Sequence, residues 1–103
     1  MATSKEYLQF VLEQMPPAEG IEARAMMGEY LLYARGKLIG GVYDNRLLVK
    51  PTRGARALMP DAPEETPYDG AKPMLLVEDM ENSEFLSALC RALYNDLPEP
   101  RKK

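Results

Sequence analysis

Histidine and tryptophan are absent from this 103-residue chain, cysteine occurs once and phenylalanine twice. Each shortage closes a route. Without imidazole, the one side chain whose ordinary pKa lies near neutrality, no Ser-His or Cys-His nucleophile can be assembled. The common zinc sites go with it, because a lone cysteine leaves only carboxylates and carbonyls, which suit calcium or magnesium. Cys90 cannot close an internal disulfide, in agreement with a reducing compartment. No apolar run approaches the ~20 residues that cross a bilayer, and the start from Met1 to Glu6 lacks the basic and then apolar pattern of a secretion signal. The expectation is a cytoplasmic protein with no cofactor and no metal. An enzyme would have to work with Glu, Asp, Lys or Tyr.

What the chain does have is a composition that folds: 46% hydrophobic and 28% charged residues in a length suited to one domain. Its centre is the most legible part. Three short apolar runs, Glu29 to Ala34, Lys37 to Tyr43 and Arg46 to Lys50, are separated by the two-residue turn signals Arg35-Gly36 and Asp44-Asn45, the pattern of a β-meander. Ile21 to Met27 reads as a first strand or an extended lead-in, with Gly28 as the break.

On either side lie helical patterns. Thr3 and Glu6 have capping-box spacing, and Tyr7, Leu8, Val11, Leu12 and Met15 recur on one face, predicting a helix from about Ser4 to Met15 that Pro16-Pro17 ends. Thr52 offers a cap for a short helix through Leu58, although Gly54 weakens it by ~1 kcal/mol relative to alanine. Pro60, Pro63 and Pro67 then enforce an extended acidic loop, and Pro73 to Glu78 returns to a strand. Asn82 or Ser83 caps a last helix whose stripe is Phe85, Leu86, Leu89, Ala92 and Leu93, before Pro98 stops it. Residues 1–97 form one domain in this reading, and 98–103 a disordered basic tail.

A period-two reading of the meander puts Tyr30, Leu32 and Ala34 on one face and Leu31 and Tyr33 on the other, and sets Leu38 and Val42 against Ile39 and Tyr43. Both faces are therefore apolar. Two helices cover one; the other needs the short helix, the proline-rich loop or a second subunit, which predicts a homodimer.

The formal charge of -3 hides a division along the chain. From Arg24 to Arg56 seven basic residues face two acidic ones, a local +5 that leaves -8 for the remainder. Arg46, Lys50, Arg53 and Arg56 are the candidate binding residues, since the cations beside a helix N-terminus could hold an anion. The plainer reading makes Arg35, Lys37, Arg46 and Lys50 solvated strand ends that keep edges from pairing. Glu78, Asp79, Glu81 and Glu84 lack the glycine-punctuated loop of a calcium site and lie where acids favour a helix start. Gly40-Gly41 reads as a bulge or close helix packing, Met26-Met27 as adaptable core filling, and Cys90 as an inert core thiol.

The run from Arg24 through Met26-Met27-Gly28, Arg35-Gly36, Gly40-Gly41 and Asp44-Asn45 to Lys50, followed by Lys72-Pro73-Met74 and a terminal helix, resembles the N-terminal domain of the TfoX/Sxy proteins, regulators of bacterial DNA-transformation competence. The resemblance implies an α+β arrangement in the order α-β(3)-α-β(2)-α, similar to secretion-chaperone folds. It departs from the family at Met27-Gly28-Glu29, where members carry an aromatic and a second glycine, and the sequence stops where the regulators' helical C-terminal domain would begin, so a stand-alone N-terminal-like domain is the expectation. It implies no catalytic residue. The function expected is a non-catalytic protein-binding module in bacterial gene regulation. Direct binding of nucleic acid through the 46–56 segment is the alternative, and a small enzyme using carboxylates or Tyr43 and Tyr68 ranks last.

Overall fold

The computed structural model describes residues 3–16 and 19–98. Its first helix, α1 (Lys5–Gln14), starts where Ser4 accepts the Tyr7 N–H at 3.1 Å through its side chain. Ser4 is the cap rather than Thr3, because Thr3 is occupied elsewhere: its hydroxyl lies 2.7 Å from Glu29 Oε1 and accepts the Asn45 N–H at 3.2 Å. Thr3 is thereby fastened to two hairpin turns.

Four strands follow, β1 (Ile21–Met26), β2 (Glu29–Ala34), β3 (Lys37–Tyr43) and β4 (Arg46–Val49), each antiparallel to the next. The lead-in is a full strand, so four strands rather than three precede the middle helix. All three connections are two residues long, and both residues of each have positive φ: Met27 and Gly28 at 50° and 87°, Arg35 and Gly36 at 48° and 89°, Asp44 and Asn45 at 51° and 56°. These are type I′ turns, whose twist matches that of the strands they join.

Helix α2 (Arg53–Leu58) is capped by Thr52. The acidic proline-rich segment contains β5 (Glu64–Glu65), which pairs with β6 (Met74–Leu76), and β6 in turn pairs with β4. The sheet order is β1-β2-β3-β4-β6-β5. Helix α3 (Ser83–Asp96), capped by Asn82, closes an α+β fold with an antiparallel six-stranded sheet. Of the segment expected to be a disordered tail, residues 99–103 lie outside those described.

One face of the sheet carries the core. Leu32, Ala34, Val42, Leu47, Val49 and Leu75 point at Val11 and Met15 of α1, Ala55 of α2 and the stripe Leu86, Leu89, Cys90 and Leu93 of α3. Full burial of each leucine contributes ~1.5–3 kcal/mol. The alternation of β2 is as the sequence predicts, but that of β3 is not. Leu32 pairs with Gly40 while Tyr33 pairs with Leu38, leaving Ile39 as an extra residue in a bulge. The bulge turns Ile39 to the helices together with Val42, and sends Leu38 and Tyr43 to the other face. A strict period of two assigns β3 wrongly because it cannot register the inserted residue.

Two polar ties hold the edges. Glu19, 5% exposed, pairs with Arg35 at 3.1 Å and Arg91 at 3.7 Å. Lys37 is buried rather than solvated, and its ammonium donates to the carbonyls of Tyr94 at 2.9 Å and Leu97 at 3.0 Å. It is a side-chain cap for the C-terminus of α3, not an edge blocker.

Candidate functional site

The four basic residues singled out from the sequence sit along β4 and α2 but do not present one free cationic surface. Arg46 pairs with Glu65, and Arg56 with Glu64 at 3.0 Å. Arg53 and Lys50 have no ion pair among the described residues. The anion position at the start of α2 is already taken, since the Gly54 N–H donates to Asp96 Oδ2 at 2.7 Å and the Ala55 N–H to the Thr52 hydroxyl at 3.2 Å. Glycine is required at 54 by close approach: a Cβ there would lie 2.7 Å from the Asp96 carboxylate and 2.9 Å from the Ala92 Cβ. Residue 54 therefore joins α2 to α3 at the expense of helix propensity.

Lys50 faces elsewhere. It lines a cleft of about 520 Å³ on the sheet face turned away from the helices, beneath the segment 66–73. The floor is apolar and closed, with Tyr43 4% exposed and Leu31 and Leu38 half-buried. Gly41 shapes it, since a Cβ at 41 would fall 2.6 Å from the Tyr43 ring, which lies back along its own strand. Pro67, Tyr68 and Pro73 form the overhanging wall, and Lys72 is the second cation. The proline-rich segment is thus the cover that the sequence offered as one of three. Lys72, Tyr68 and Tyr43 were legible only as parts of other patterns, because their meeting depends on where β5 and β6 dock.

Past Tyr68 a second hollow leads to the β1–β2 turn, where Met27 is 98% exposed. Core filling was expected of Met26-Met27; Met27 is instead the most exposed large apolar side chain among the described residues, because the I′ turn aims it into solvent.

Nearby titratable groups are set for structure. Burial opposes ionisation of Glu29, but the Asp44 N–H and the hydroxyl and N–H of Thr3, all directed at Oε1, more than offset it and hold the carboxyl below its ordinary value. A depressed folded pKa stabilises above the unfolded value and is lost as pH falls through the folded one. Glu29→Gln is therefore expected to cost about 1–2 kcal/mol at neutral pH, with the gap to the native chain closing as the pH falls through the depressed carboxyl pKa. Urea unfolding at neutral pH and along an acid series measures it.

Tyr43 and Tyr68 stand 6.4 Å apart, ring centre to ring centre. Burial, then the neighbouring Tyr68, Glu29 and Tyr33, raise the Tyr43 pKa, which keeps it a phenol and a poor base. Cys90 is pushed up to about 12 by burial and then by the charge of Glu19, so its thiol is unreactive. Among the described residues no group of three or more His, Cys, Asp and Glu is placed to hold a metal, and no helix is long and apolar enough to cross a membrane.

No family model matches the chain. It is, however, 35% identical over 104 residues, covering 100% of its own length and 90% of the other protein's, to an uncharacterized 12.7 kDa protein in the trpE 5' region of Spirochaeta aurantia. The chain belongs to the family of that protein. The shared span takes in every element of this family member described above, including both walls of the cleft and the Met27 turn.

Proposed function

We propose that the chain is a non-catalytic protein-binding module working in the cytoplasm in bacterial gene regulation, a counterpart of the TfoX/Sxy N-terminal domain that its meander resembles. Met27 carries this reading. Holding a long side chain at positive φ costs about 1–2 kcal/mol, and leaving it 98% exposed forfeits its burial. Asparagine before Gly28 would avoid both penalties, so methionine there makes sense as an adaptable apolar contact for another protein. Met26 and the half-exposed Tyr68 extend the same surface, and a second copy of the chain is one partner suited to it. The competing nucleic-acid reading asks for four free cations, whereas Arg46 and Arg56 are engaged by Glu65 and Glu64.

The test is Met27→Asn, which creates the favoured Asn-Gly turn. It is expected to raise stability by about 1 kcal/mol, roughly 5 °C in Tm, while abolishing capture of partners from a native lysate and any self-association that the native chain shows in light scattering. A variant that is stabilised yet retains both associations removes the reading. Binding of DNA at low salt, lost with Arg53→Glu, would install the alternative.

A further inference from the structure

We propose that the cleft beneath residues 66–73 is a binding site for a small apolar anion, and specifically for a medium-chain fatty carboxylate. This goes beyond the protein-binding reading and does not rest on it. At about 520 Å³ the cleft lies within the roughly 300–1,000 Å³ typical of small-molecule sites. Its lining contains no carboxylate and two cations, Lys50 from the end of β4 and Lys72 from the overhanging segment.

The charge distribution around it is selective. Glu64 and Glu65 belong to the same acidic stretch as the overhang, yet they neutralise Arg56 and Arg46 and leave both lysines without an ion pair among the described residues. Two uncompensated ammonium groups beside an apolar trough complement a ligand with one anionic end and a hydrocarbon body. The body would lie on Leu31, Leu38 and Met74, above the closed floor of Tyr43, and the flexible Met26 and Met74 side chains can follow a linear chain closely. The prolines at 67 and 73 hold the wall in place before the ligand arrives, which lowers the ordering cost of binding.

Calorimetric titration of the full chain with decanoate, below its micelle concentration, tests this against decanol. Decanoate is expected to bind at one site, and the double substitution Lys50→Gln, Lys72→Gln to weaken it by about tenfold or more while decanol binding stays as it was. Arg53→Gln serves as the charge control and is expected to change neither. Because Lys72 is exposed and Lys50 half-exposed, the double variant is expected to keep the native Tm, which is measured alongside. Equal binding of decanoate and decanol, an unchanged decanoate affinity in the double variant, or no heat with either ligand overturns the proposal. So does binding only of an acidic peptide or a second chain over the same face. None of these outcomes touches Met27, so the partner reading stands or falls separately.

Discussion

Gly40→Ala is expected to cost about 3 kcal/mol or more and to lower Tm by roughly 15 °C, the largest effect of any single methyl group in the sheet. A Cβ at 40 would sit 2.2 Å from the Leu48 carbonyl oxygen and 2.8 Å from the Val49 Cα. Both obstacles are backbone of the adjacent strand, so no rotamer change relieves them; β3 and β4 must separate or the bulge must move. φ at Gly40 is not in the left-handed region, so the requirement is space alone. Moving the bulge would turn Ile39 out of the core and Leu38 out of the cleft, damaging both together. Against a total stability of roughly 5–15 kcal/mol for a chain of this length, such a loss is severe. Thermal unfolding gives the shift, and a Tm within a few degrees of native would show that β3 accommodates a side chain in its bulge.

Much of this architecture can be read from turn chemistry. Arg35-Gly36 and Asp44-Asn45 sit between apolar runs at the spacing type I′ hairpins demand, and the meander follows from them without any tertiary information. Helix limits are legible for the same local reason: Thr52 is the cap in the sequence and in the molecule, and of the pair Asn82 or Ser83 the molecule uses Asn82. The bulge at Ile39 is a different matter. It is a relation between two strands, and although Gly40-Gly41 marks the place, the pair does not say which residue is the extra one. The same limit explains Thr3, whose capping-box spacing is genuine but whose hydroxyl finds Glu29, 26 residues away.

The candidate site was legible in kind and not in place. Apolar residues on both faces of the meander require a second cover, and the proline-rich segment supplies it. Which cations remain free could not be read locally, because Arg46 and Arg56 are neutralised by glutamates that only the β5–β6 pairing brings near. Nor could the helix start at Thr52 be known to be occupied, since Asp96 comes from the far end of the chain. Basic residues in sequence report a local charge; its availability is a property of the fold.

Lys37 makes the point quantitatively. Its ammonium lies 3.9 Å from the Tyr94 ring centre and donates to two carbonyls at the end of α3, while Arg35 covers the same ring at 4.1 Å. The last carbonyls of a helix have no partner within it, and a cation there also meets the negative end of the helix dipole. Lys37→Met keeps the length and apolar stem but removes the charge and all three donors, leaving the Tyr94 and Leu97 carbonyls unsatisfied at a site where residue 37 is 8% exposed. The expected cost is about 2–3 kcal/mol, with faster amide exchange in the last turn of α3. Arg91→Met is the comparison: its side chain is 63% exposed and its Nε lies 3.7 Å from Glu19, so its loss is expected to cost about 0.5 kcal/mol or less. Two basic residues that look alike on paper are thereby separated several-fold by burial and by what they donate to. Equal losses in urea unfolding, or unchanged exchange at Tyr94 and Leu97 in Lys37→Met, would mean that α3 ends without help from the sheet.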